Sequence, residues 1–97
     1  MPSYLVETFL ARAASAACRD LERRASSAAA ALTREGTRVR FGGLIHVPDD
    51  EICFFTFVAE TDRDAALAAQ RAGLQPLRVA MAISSQEGDT QGCAIDC

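Results

Sequence analysis

The chain has 97 residues, with 10 basic and 13 acidic side chains and a formal charge of −3, a length that suits one domain around one modest core. With 49% hydrophobic and 24% charged residues, the composition is that of a globular protein and not of a disordered chain. An acidic balance lacks the cationic face that nucleic acid requires, no apolar run approaches the ~20 residues that span a bilayer, and the opening stretch, with Glu7 inside it, does not read as a signal peptide. The expectation is a cytoplasmic protein without nucleic-acid or membrane partners, its four cysteines, Cys18, Cys53, Cys93 and Cys97, held as thiols.

Ser3 to Phe9 alternates and is rich in β-branched and aromatic residues, which predicts a strand. From about Ala14 to Glu35 the period becomes helical, with Ala14, Cys18, Leu21, Ala25, Ala28 and Leu32 at spacings of three and four. Gly36 follows as a stop. Arg38 to Val47 alternates again, and Gly42-Gly43 inside it suggests a bulge. Pro48-Asp49-Asp50 is a turn signal, and Ile52 to Val58 is the returning strand. A tight return that pairs Val47 with Ile52 sets Ile45 opposite Phe54 and His46 opposite Cys53. Thr61 and Asp64 have capping-box spacing, Ala65 to Ala72 gives a short helix closed by Gly73, and Leu77 to Ile83 alternates as a last strand. Beyond it the composition turns to Ser, Gln, Gly, Asp and Thr, which predicts a flexible tail over 84–97 after a domain at 1–83.

The order is β-α-β-β-α-β, which predicts an α+β, ferredoxin-like fold. Its four-stranded antiparallel sheet has strand order 4-1-3-2, with both helices on one face. Val6, Val39, Phe41, Ile45, Ile52, Phe54, Val58, Leu77, Val79, Met81 and Ile83 are expected beneath the helices. Leu5, Glu7, Phe9, Arg40, Leu44, His46, Cys53, Phe55, Phe57 and Arg78 are expected on the open face. Three phenylalanines on an open face mark a contact surface, so a homodimer with stacked sheets is expected.

Polar residues caught in such an interface are the functional candidates. His46, Cys53 and Glu7 offer imidazole, thiolate and carboxylate, a donor set that suits nickel, zinc or copper better than magnesium or calcium. The plainer reading has His46 near the turn, satisfied by water or by Asp49 or Asp50, Cys53 as a small buried hydrophobe, and Glu7 in an ion pair with Arg40 or Arg78. Arg40, Arg78, Phe55 and Phe57 are candidates to line a ligand pocket. Cys18 falls on the apolar stripe of the first helix. Cys93 and Cys97 lack zinc-pair spacing, and Asp49-Asp50-Glu51 is too contiguous to surround a calcium ion.

Pro2-Ser3-Tyr4-Leu5-Val6-Glu7, the hairpin stretch Val47-Pro48-Asp49-Asp50-Glu51-Ile52-Cys53-Phe54, and Arg71-Ala72-Gly73-Leu74 resemble a small nickel-responsive, ferredoxin-like actinobacterial family, over residues 2 to about 83. The resemblance implies a dimeric α/β barrel and a nickel-binding or nickel-responsive function, with Glu7 and Cys53 at recurring positions. The chain departs from that pattern at Ala68 and Ala69, where relatives carry a histidine or asparagine before Arg-Arg-Ala-Gly. Two other functions fit the same architecture. One is a cofactor-free monooxygenase or isomerase with His46 as general base and Arg40 or Arg78 holding an anionic oxygen. The other is a non-catalytic binder of a small hydrophobic molecule. An enzyme is the less favoured of these readings.

Overall fold

The computed structural model describes residues 1–83; the predicted tail at 84–97, with Cys93 and Cys97, lies outside the described residues. Strands β1 (Ser3–Phe9), β2 (Val39–Val47), β3 (Ile52–Ala59) and β4 (Arg78–Ala82) form one antiparallel sheet in the order β2-β3-β1-β4. Helix α1 (Cys18–Arg34) links β1 to β2, and α2 (Asp62–Arg71) links β3 to β4. This is the ferredoxin-like α+β arrangement.

Both helix stops are glycines at positive φ, 106° at Gly36 and 83° at Gly73. Each allows the amide three residues past the last helical residue to fold back: Thr37 donates to the Leu32 carbonyl, and Leu74 to that of Ala69, both at 2.9 Å. This closes the orphan carbonyls of the last turn. At the start of α2 the Thr61 hydroxyl accepts the Asp64 amide at 3.1 Å, as the capping spacing predicts. The first helix starts later than its period suggests. A 3-10 turn over Arg12–Ala17 precedes it, interrupted at Ala14 by φ −99° and ψ 19°.

Residues align across the sheet in rows. His46, Cys53 and Thr8 make one row, and Leu44, Phe55, Val6 and Val79 the next. Phe41, Phe57, Tyr4 and Met81 make a third. These rows face the helices. Phe55, Phe57, Val6 and Cys53 are wholly buried and pack with Ala25, Ala29 and Leu32 of α1 and Ala65, Ala68 and Ala69 of α2. The alanine stripes bring helix backbone close to the sheet, so the aromatic bulk of the core comes from the strands. Phe41 meets Phe57 with ring centroids 5.6 Å apart in a tilted contact. Ala68 and Ala69, where the resembled family carries a polar residue, are both fully buried in this core.

The expected face assignment is therefore corrected in β3 and in the second half of β2. Phe55, Phe57, Cys53, Leu44 and His46 lie under the helices. Ile45, Ile52, Phe54 and Val58 lie on the open face. The cause is the bulge: between Phe41 and Gly43 the β2–β3 register shifts by one residue, which inverts the alternation of everything after it. The predicted pairs Val47–Ile52, Ile45–Phe54 and His46–Cys53 are all present. The last strand is also corrected. Val79 packs on the core, but Leu77, Met81 and Ile83, on and beside the edge strand, are exposed.

Candidate functional site

The corrected faces separate the predicted metal ligands. His46 and Cys53 are cross-strand neighbours on the helix side. Glu7 pairs with Phe54 and Arg78 on the open side, so the sheet stands between its carboxylate and the other two groups. Among the described residues no group of three or more His, Cys, Asp and Glu side chains is placed to hold a metal ion. The donor set Glu7, His46 and Cys53 does not fit a single ion in this arrangement.

The surroundings of Cys53 match its plainer reading; His46 is also satisfied, but by Ser15 and Leu10 and not by Asp49 or Asp50. His46 Nδ1 lies 3.2 Å from Ser15 Oγ, and Nε2 lies 3.3 Å from the Leu10 carbonyl. A carbonyl only accepts, so Nε2–H donates to Leu10, while Nδ1 faces the Ser15 hydroxyl, which also reaches the Arg12 carbonyl at 3.3 Å. The ring thus ties the end of β2 to the segment between β1 and α1. Cys53 has no exposed surface, and burial pushes its thiol up to about 11 from 9.0, with Cys18 and Glu22 adding to the shift. A thiol in that state is neither a ready nucleophile nor a ready ligand. Thr8, in the same row, is itself buried and donates to the Cys53 carbonyl at 3.3 Å.

Of the pocket candidates, Phe55 and Phe57 are core residues that line no opening, whereas Arg40 and Arg78 do stand on the open face. That face carries Val47, Ile52 and Phe9 in one row, and Ile45, Phe54, Glu7 and Arg78 in the next. Gly43, Thr56, Leu5 and Ala80 follow, then Arg40, Val58, Ser3 and Ala82. It is mostly apolar, with Phe9 and Ile45 about three-fifths exposed. Sequence reasoning missed Phe54 and Ile45 as surface residues, although the Gly42-Gly43 pair was the signal that should have moved them there.

Sequence reasoning also missed a cleft of about 480 Å³ at one end of the molecule, between the first half of α1, the end of β1 and the connection from α2 to β4. Leu21, Arg24, Leu74, Gln75 and Leu77 line it, and Thr8 stands at its base. Arg24 reaches across from α1, its Nε donating to the Ala72 carbonyl at the end of α2 at 3.0 Å. A second connection between the helices is the Arg71–Glu35 pair, joined by two contacts of 2.7 and 3.1 Å. Arg71 holds the Glu35 carboxyl below the usual carboxylate range.

No protein-family model and no curated protein matches the chain. Among solved structures, SCO4226 from Streptomyces coelicolor A3(2) is similar, with a TM-score of 0.63 at 14% identity, over 86% of this chain and 98% of that one. The likeness is one of fold: two small α+β proteins of nearly the same extent. No helix among the described residues is long and apolar enough to cross a membrane.

Proposed function

We propose that this protein is a homodimeric binding module of the α/β-barrel type and not a catalyst. Two copies join through their open sheet faces. The observation that carries this reading is the composition of that face. Leu5, Phe9, Ile45, Ile52, Phe54 and Val58 share it with one acid, Glu7, and two bases, Arg40 and Arg78. A two-fold axis through such a face sets apolar against apolar and can bring the acid of each copy to a base of the other. Four strands of about seven residues make a face of about 450 Å² in flat projection. Side-chain relief raises this toward the ~600–1,000 Å² per copy of a standard interface.

The same arrangement speaks for binding over catalysis. Both ring nitrogens of the single histidine are engaged, and the buried thiol is held in its protonated form. The nickel function implied by the family resemblance loses the three-residue site that sequence reasoning offered for it. Light scattering on tag-free protein is the test. A dimer at micromolar concentration is the expected result, and a monomer there overturns the proposal. In the same samples, a nickel titration whose affinity falls alike in Glu7→Ala, His46→Ala and Cys53→Ala would return the metal reading to first place.

A further inference from the structure

We infer that the cleft between α1 and the α2–β4 connection binds a small monocarboxylate with an apolar body, such as a medium-chain acyl or arylalkyl acid. The inference deepens the reading of the protein as a binding module and rests on it, but it does not depend on the dimer.

The volume, about 480 Å³, falls in the range of small-molecule sites, which are mostly apolar with a few placed polar groups. Leu21 and Leu74 are half-buried and pack on the core, so one wall is rigid. Leu77 at the rim is 63% exposed and leaves apolar surface in water that a ligand would cover.

The lining carries one charged side chain, and it is a cation. Arg24 is held in place from both sides. Its Nε–H is spent on the Ala72 carbonyl at 3.0 Å, and Nη1 lies 3.7 Å from an Asp20 oxygen. Nη2 has no hydrogen-bond acceptor among the described residues. It lies against Gly73, where any Cβ would collide with it. The φ of 83° at Gly73 closes α2, and the guanidinium lies over its bare Cα. The result is a donor at the edge of a largely apolar cleft, with Gln75 also in the lining.

The chemistry selects the ligand class. One guanidinium, its charge already partly offset by Asp20, favours at most a single negative charge, and its planar N–H groups suit a carboxylate. A phosphate dianion would need more cationic or helix N-terminal donors than the cleft provides, while the leucines call for a hydrocarbon body.

Sodium octanoate, with octanol as its neutral counterpart, tests the site by calorimetry and by amide shifts in two-dimensional NMR. Octanoate is expected to saturate and to shift the amides of Thr8, Leu74 and Leu77, with octanol binding at least tenfold more weakly. Leu77→Glu, at an exposed position that the core does not need, is expected to weaken octanoate at least tenfold with an unchanged melting curve. Arg24→Gln should do the same; because Arg24 also holds the end of α2, its result is read only at temperatures where the variant is folded. No saturable binding, equal affinity for octanoate and octanol, or unchanged affinity in Leu77→Glu overturns the inference. Light scattering of the same samples keeps the outcomes apart, since a dimer that ignores octanoate removes the cleft and leaves the dimer standing.

Discussion

Cys53 shows how a residue's chemistry follows from where its strand faces. On an open face it would be a candidate ligand; beneath the helices it is a packed thiol pushed up to about 11. The unfolded chain ionises this group near 9, whereas the native state holds it protonated. Its contribution is therefore complete below pH 9 and is lost as pH rises toward 11, a change of up to about 2–3 kcal/mol. Urea unfolding of the wild type and Cys53→Ala at pH 8, 9, 10 and 11 checks this. The variant is less stable at pH 8, from the cavity it leaves, and the gap between the two narrows as pH rises. Iodoacetamide at pH 8 on native protein should leave Cys53 unmodified in peptide mass mapping. Rapid alkylation there would show that the thiol is not buried.

The Arg71–Glu35 pair also belongs to the residue scale. Both partners are largely exposed, so its worth is small and salt-sensitive. Because the Glu35 carboxyl is held low, the pair's stabilisation is present above the ordinary carboxylate range and disappears as pH falls through the lowered value. Arg71→Ala should therefore lower the melting temperature slightly at pH 7 in low salt and leave it unchanged in 1 M sodium chloride.

At the scale of elements, much was legible and one inversion was not. The glycine stops, the threonine cap and the hairpin pairs follow from local rules that need no tertiary information, and the structure has them all. The phase of β3 was not legible from β3 itself. Cys53, Phe55 and Phe57 on one side and Ile52, Phe54 and Val58 on the other are both apolar, so alternation says nothing about which side is inward. That phase comes from β2, and β2 reverses its own at Gly42-Gly43. The candidate site inherited the error, because Glu7, His46 and Cys53 share a face only when the bulge is ignored. The cleft was out of reach for a different reason: it joins α1 to a loop some fifty residues away, and no local pattern reports such a meeting.

The bulge itself can be tested as an element. Deleting Gly42 restores plain alternation through β2. Ile45 and Val47 would then turn inward, and Leu44 and His46 would turn out to solvent unless the hairpin slips. Either outcome breaks the His46 contacts to Ser15 and Leu10. The expected result is a loss of several kcal/mol, or of cooperative unfolding altogether, in urea titration. A deletion variant as stable as the parent would mean that the bulge does not set the faces.

At the scale of the whole molecule, the two faces of one sheet make opposite demands, and adjacent phenylalanines distinguish them. Phe55 sits at the centre of the intramolecular core with no exposed surface, between Leu44 and Val6 in its row. Phe54, one residue earlier, is half-buried on the open face between Ile45 and Glu7. A carboxylate at position 55 would be desolvated in every state of the folded protein, at a cost comparable to the whole stability of a domain this size. Phe55→Asp is therefore expected to be unfolded by circular dichroism. A carboxylate at position 54 remains in water in the single chain and is desolvated only when a second copy covers the sheet, beside Glu7 of like charge. Phe54→Asp is expected to keep its secondary structure and its cooperative unfolding while light scattering shows the mass of one chain. A folded dimer in Phe54→Asp would place the contact between copies somewhere other than the sheet. A folded Phe55→Asp would mean that the face assignment drawn from the bulge is reversed.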